Sequence, residues 1–531
     1  MTGRRLRAAA VAALGCLSLA AAPAPHAGSA PPAVSAFVTP PDQMVVTHGQ
    51  VTIAGKPLRY AVRTGLLPLY DNDTGALMGR IFIMAYVAER APGAPPRPLT
   101  FVWNGGPGSS SSQVHLVGFG PKGFKTPPTY PQWKGPPTQI VDRPDTWLAY
   151  SDLVFVDPPG TGYSRATSEA YRDVLYSQHG DGEAAAEAIR LYRTRYDAFD
   201  QPLILAGESY GTTRAMEVAG DLARRRTPVA GVMLISGFYD VGQSVPRALN
   251  QALELSMFTA TAWYHKRLPA DLQDKSQQGA IDEAVGWARK TYAPALENPD
   301  AVSAETRTAV LAGLKRYTGL DPKYVEAKTL LIDKGVFTDH LLDDRGEELG
   351  RYDARMVLPK RAGAQPWLPT HDPSLAPMLD IMEGTSVPMI RYIRDTLGYR
   401  SDLLYRGPFG EAFHPTPLVI NGGGLGDDWM TLMWNRYRAS KAEGPPGPPQ
   451  APPLRQAMDA QPHLLVFNVR GLYDGDCAGL DEAVARSDAS LKPRIRNRCY
   501  AAGHMVYTDD ATRLQLSHDF AQFVHDATAA R

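Results

Sequence analysis

The sequence carries no excess of charge of either sign. Lys and Arg number 55, Asp and Glu 55, for a formal net charge of zero, and no long basic run follows the first residues. Nucleic acid and anionic membrane surfaces are therefore not expected partners, which leaves a small or neutral molecule. Long apolar runs are also missing: past the N-terminus nothing reaches 18 uninterrupted apolar residues, so no membrane span is expected. No internal repeat is present. The histidines show neither H-E-x-x-H nor another ligand spacing, so no metal is expected. The glycine-rich loop after Trp103 matches neither a P-loop nor G-x-G-x-x-G, and no cofactor is expected.

Cysteine is scarce, with three residues. Cys16 falls inside residues 1–30, where Arg4, Arg5 and Arg7 precede the apolar run AAAVAALGCLSLAAA (8–22) and then small residues and prolines. This is the layout of a secretory signal, and it predicts a periplasmic or extracellular protein. A twin-arginine route and a lipoprotein attached through Cys16 are alternatives within the same export reading. Cys477 and Cys499 then remain as a pair in an oxidising compartment, either bridged or as two free thiols, one of them close to Asp474.

What is present is ordinary globular composition, 44% hydrophobic and 21% charged, with raised glycine (48) and proline (46). Residues 44–64 read as hairpin strands broken at His48-Gly49 and Gly55-Lys56-Pro57, and RIFIMAYVAER (80–90) as another strand. From LTFVW (99–103), short apolar strands alternate with helical stretches: SDLVFVD (151–157), a helix over 181–199, PLILAG (202–207), a helix over 212–226 and VAGVMLISG (229–237). Such alternation predicts an α/β fold with a mostly parallel sheet between helices. After Asp240 helical segments dominate, among them 280–296 and 388–399, until the Pro-rich connector EGPPGPPQAPP (443–453) leads back to the strand HLLVFNVRG (463–471). The organisation predicted is a signal and Pro-rich start (1–30), a first core part (31–240), a mainly helical cap with its connector (241–455) and a second core part (456–531). NGGGLGDD (421–428) reads as a surface turn, and Trp429, Trp434 and Tyr437 as one packed helix face.

GESYG (207–211) fits G-x-S-x-G between an apolar strand and a helix, the context in which a sharp turn lifts a serine into a cleft. A serine hydroxyl needs a base, and the base an orienting carboxylate. In strand-turn-helix hydrolases these follow downstream in the order Asp, then His. GLYDGD (471–476) supplies Asp474, with Asp476 as its competitor, and AGHMV (502–506) supplies His504. NGGPG (104–108) offers backbone N–H donors for an oxyanion.

WNGGPGSS (103–110), DPPGTGYS (157–164), GESYG (207–211), GLYD (471–474) and AGHM (502–505) together resemble the serine carboxypeptidase family, over roughly residues 45–525. The resemblance implies an α/β-hydrolase fold with a helical insertion, a peptide substrate with a free C-terminus, and a Ser209, His504 and Asp474 triad working through an acyl-enzyme. It implies an oxyanion hole from the N–H groups of Gly106 and Tyr210, recognition of the substrate carboxylate by Asn104, Gly105 and Glu208, and a leaving-residue pocket bordered by Met505. Only a protonated Glu208 could donate to that carboxylate, so KM should rise as Glu208 ionises. Three positions depart from the family: Thr212 where a second glycine is usual, Gly118 where some members carry an acid supporting the carboxylate site, and Tyr507 in place of proline, read as a local backbone change. An esterase or acyltransferase on the same triad, and a non-catalytic binding protein, are the rival readings.

Overall fold

The computed structural model describes residues 38–360, 372–407 and 451–529. Residues 1–30, expected to be an export signal, NGGGLGDD (421–428), and Trp429, Trp434 and Tyr437 lie outside the described residues.

Ten strands form one mixed sheet: β1 Val45–Ile53, β2 Lys56–Tyr70, β3 Leu77–Ala88, β4 Leu99–Trp103, β5 Asp152–Val156, β6 Arg165–Ala166, β7 Leu203–Glu208, β8 Gly231–Ile235, β9 Leu465–Gly471 and β10 Ile495–Tyr500. The spatial order is β1-β2-β3-β5-β4-β7-β8-β9-β10, with β6 paired to β3. β1, β2 and β3 are antiparallel, β3 meets β5 antiparallel, and the strands from β5 to β10 along that order are parallel to one another. The β1–β2 turn uses Ala54 (φ 47°) and Gly55 (φ 77°), two successive left-handed residues as a tight hairpin requires. His48-Gly49, expected to break the strand, runs through it instead. Gly49 faces Tyr60, whose ring would lie 2.7 Å from any Cβ there, so this glycine makes room for an aromatic rather than a turn.

The central strands are buried throughout, and their alternation sorts side chains between two cores. In β4 and β7, Val102, Ile204 and Ala206 enter one core, while Leu99, Phe101, Trp103, Leu203 and Leu205 enter the other. Helix α1 (Gln178–Arg195) and helix α2 (Tyr210–Arg224) cover the second core through Ala188, Ile189, Ala215, Val218 and Leu222. The larger of these side chains, Ile189, Val218 and Leu222, each contribute about 1.5–3 kcal/mol when fully buried. The arrangement is the α/β-hydrolase architecture.

Two portions of the stretch expected as a helical cap differ in what covers them. Residues from Ala252 to Ala354 build their own cluster around Leu255, Phe258, Ile281, Leu314 and Phe337, which includes helix α3 (Lys334–His340) and takes in Tyr473 from beyond the insertion. Leu375, Met378, Ile381, Tyr392 and Tyr405 instead join the sheet's first core, with the Tyr392 and Tyr86 hydroxyls 2.9 Å apart. Helical periodicity reveals an apolar face but not the surface that receives it.

Helix α4 (Cys477–Ala485) is tied to β10 by a disulfide between Cys477 and Cys499, 22 residues apart in sequence. Closing such a loop stabilises by about 3 kcal/mol. Helix α5 (Asp510–Ala529) packs Leu516, Phe520 and Phe523 on the first core. Among the described residues no helix is long and apolar enough to cross a membrane.

Candidate active site

β7 carries only apolar side chains until Glu208, and Ser209 then turns the chain into α2 at φ 58°, ψ −128°. A left-handed non-glycine residue of this kind costs about 1–3 kcal/mol and persists only where its surroundings hold it. The Ser209 N–H donates to the Ile235 carbonyl at 2.8 Å, and the Ser209 carbonyl accepts the Thr212 hydroxyl, also at 2.8 Å. That hydroxyl in turn accepts the Phe238 N–H at 2.8 Å. Thr212, where the sequence departs from the family pattern, is thus a clasp on the turn, and its side chain occupies space that Gly237 leaves open. Gly105 brings the NGGPG loop against the same turn: a Cβ there would sit 2.4 Å from the Tyr210 nitrogen, so only glycine permits the approach. From beneath, the buried Arg214 of α2 donates to the Asn104 carbonyl at 2.8 Å and pairs with Asp181 of α1, also at 2.8 Å.

Ser209, Gly106, Tyr210, Asp474 and His504 line one cleft of about 1090 Å³. His504 Nδ1 lies 2.7 Å from Asp474 Oδ2. The other oxygen, Oδ1, accepts Lys334 Nζ at 3.0 Å, and the same ammonium donates to the Asp474 carbonyl at 2.7 Å. Burial alone would raise the Asp474 carboxyl, but Lys334 and His504 outweigh it and hold the group below the ordinary carboxylate range. For His504 burial opposes the charged form, yet Asp474 and Glu208 raise it above the usual imidazole value. An imidazole held this way is fixed in tautomer by Asp474 and keeps Nε2 for proton transfer. Asp476, the competing carboxylate, caps α4 instead, accepting the Gly479 N–H at 2.6 Å and the Ser256 hydroxyl at 3.1 Å.

The insertion holds His504 and Asp474 from the other side. The Tyr352 carbonyl accepts the His504 N–H at 2.6 Å, and its ring meets the imidazole edge-on, centroids 5.2 Å apart. Arg355 joins Asp353 at 2.6 Å to Asp509, also at 2.6 Å, and lies 5.1 Å over the Tyr473 ring. Lys334, Tyr352 and Arg355 were not singled out from the sequence. A lysine at the start of a helix and a charged pair in a loop carry no local signature of a partner more than a hundred residues away.

Asn104 and Glu208 stand behind the Ser209 turn rather than in the cleft wall, each 2% exposed. Asn104 Oδ1 accepts the Val114 N–H at 3.0 Å, which orients the amide so that Nδ2 donates to Glu208 Oε2. The Tyr507 hydroxyl donates to the same oxygen at 2.8 Å, while Oε1 is buried without a partner. Burial dominates over these donors and pushes the Glu208 carboxyl up to about 7. Met505, expected to border the leaving-residue pocket, is 3% exposed, sits in the first core with Val506 and Tyr507, and is not a lining residue of the cleft. Among the described residues no cluster of three or more His, Cys, Asp or Glu side chains is placed to hold a metal ion.

Residues 78–315 match the family model of the serine carboxypeptidases. Over that stretch, somewhat less than half of its length, the chain is similar to the serine carboxypeptidase family. That match supports a hydrolase of the serine carboxypeptidase type. Among solved structures, the chain is similar to the prohormone-processing carboxypeptidase Kex1 of Saccharomyces cerevisiae, at 14% identity and TM-score 0.49, covering 87% of this chain and 92% of that one. It is also similar to the proline iminopeptidase of Mycobacterium smegmatis, at 10% identity and TM-score 0.32 over 88% of this chain and 100% of that one. A lipase in its open form matches at 12% identity and TM-score 0.33, covering 87% and 99% of the respective chains. No curated protein matches the sequence.

Proposed function

We propose that this protein is an exported serine carboxypeptidase that removes C-terminal residues from peptides through an acyl-enzyme on Ser209. His504 Nε2 takes the Ser209 proton as Oγ attacks the last peptide carbonyl, and Asp474 stabilises the imidazolium through Nδ1–H. The oxyanion accepts the N–H groups of Gly106 and Tyr210. As the C–N bond breaks, His504 gives its proton to the leaving amine, and the free amino acid departs. Water, deprotonated by the same imidazole, then releases the acyl group and restores Ser209.

The observation that carries the exopeptidase reading over an esterase or acyltransferase is Glu208. A buried carboxyl raised to about 7 directly behind the Ser209 turn, with Oε1 unpartnered, is a donor suited to a substrate carboxylate that reaches past the turn, together with Asn104 and the Gly105 N–H. A plain ester offers nothing for it to bind. Export is supported by the signal-like residues 1–30 and by the Cys477–Cys499 bridge, which suits an oxidising compartment.

The test compares a peptide bearing a free C-terminus with its C-terminal amide, alongside labelling by a serine-reactive phosphonate. The expected result is strong preference for the free acid, sequential release of C-terminal residues, and one label that Ser209→Ala abolishes. Equal turnover of acid and amide would refute the exopeptidase reading, and labelling that persists in Ser209→Ala would refute the nucleophile.

A further inference from the structure

Tyr507 is fully buried, and its ring is held between two elements. On one side it lies over Gly118, where a Cβ would stand 3.4 Å from the ring's Cγ, and meets Phe119 edge-on at 5.1 Å between centroids. On the other, its carbonyl accepts Arg513 of α5 at 3.3 Å. The short helical segment Val114–Phe119 that carries Gly118 also supplies the Val114 N–H that orients Asn104. One segment therefore sets both donors that converge on Glu208 Oε2.

A carboxyl oxygen has two acceptor sites. With Asn104 and Tyr507 filling both on Oε2, the proton of a neutral Glu208 has Oε1 as its place, the oxygen that lacks a partner. We infer that Tyr507 is a positioning residue for recognition of the substrate's C-terminal carboxylate: it confines the Glu208 proton to the oxygen that donates. The space at Gly118 and the phenol at 507 belong together, because side-chain atoms beyond a Cβ at 118 would meet the ring. This rests on the carboxylate-recognition reading above. The charged and titratable groups around Glu208 are His504 and Asp474, with Lys334 behind them, the Arg214–Asp181 pair beneath Asn104, and Tyr507 itself. Burial and Glu208 keep the Tyr507 hydroxyl well above its ordinary value, so it stays a donor throughout the working range.

Tyr507→Phe keeps the ring over Gly118 and removes only the hydroxyl. For a free-acid peptide, KM at pH 6 is expected to rise about three- to tenfold, the loss of one hydrogen bond, with kcat within twofold and the amide substrate unaffected. The rise of KM with pH should move to higher pH, because a donor that favours ionised Glu208 has been taken away. A structural role would change acid and amide substrates alike and leave that midpoint in place. An unchanged KM profile in Tyr507→Phe, or equal losses on both substrates, would overturn the role of Tyr507. If the wild-type enzyme itself treats acid and amide alike, the carboxylate reading fails and this role with it. Gly118→Val, whose γ-methyls extend beyond the Cβ onto the same ring, gives a second readout should Tyr507→Phe not fold: a rise of KM for the acid alone is expected, and no change overturns the proposal.

Discussion

Two carboxyl groups flank Ser209, one preceding it in the chain and one across the cleft, and their proton affinities are shifted in opposite directions, Glu208 up and Asp474 down. Asp474 meets cations: Lys334 on Oδ1 and His504 on Oδ2. Glu208 meets neutral donors, Asn104 and Tyr507, both on one oxygen. Burial raises both carboxyls and the charge of His504 lowers both, but only at Asp474, where the Lys334 ammonium and a direct bond to the imidazole are added, is burial overcome. The ionised carboxyl can steady an imidazolium, and the neutral one can donate to an anion. In the proposed mechanism one site would obtain a base's orienter and an acid's donor from the same functional group.

The difference can be broken first on the Asp474 side. Asp474→Asn should lower kcat by about 10⁴, since the imidazole loses the acceptor that sets its tautomer, with KM for a free-acid peptide little changed. Steady-state kinetics near pH 7 check this, and a kcat within tenfold of wild type would move the orienting role elsewhere. Lys334→Met sharpens the comparison more gently. Lys334 depresses both Asp474 and His504, so its removal should raise His504 and displace the rising limb of kcat to higher pH. Each unit of displacement costs up to about tenfold in kcat at pH 6, and the deficit should shrink towards pH 8. A uniform loss across the range would mean that Lys334 acts through packing alone.

The parts of this site that were legible in the sequence are those whose chemistry needs a particular local backbone. The elbow at 207–211 and the NGGPG loop demand glycines and a preceding strand, so their sequence and their shape carry the same information. The parallel strands were legible for a similar reason, because burial on both faces enforces a short continuous apolar run. Position in a loop does not reveal a partner, and that is where the readings thinned. Tyr507 read as a backbone change and is a hydrogen-bond donor to Glu208. Met505 read as a pocket wall and is a core residue. Lys334 gave no signal at all, because its contact with Asp474 spans 140 residues. The charged strand β10 was readable only as a polar segment, since an edge strand buries little more than Ile495 and Tyr500.

Recognition of the substrate carboxylate depends most directly on the Glu208 proton, and Glu208→Gln isolates it. Glutamine retains an oxygen for Asn104 and Tyr507 and presents a permanent N–H in place of the carboxyl proton. KM for a free-acid peptide should be measured from pH 5 to 8.5 in both enzymes. In the wild type it is expected to climb above about pH 7, approaching tenfold per pH unit, while kcat holds. In Glu208→Gln it is expected to stay flat. A wild-type KM that does not change with pH, or a Gln variant that keeps the same rise, would contradict the assignment of Glu208 as the donor.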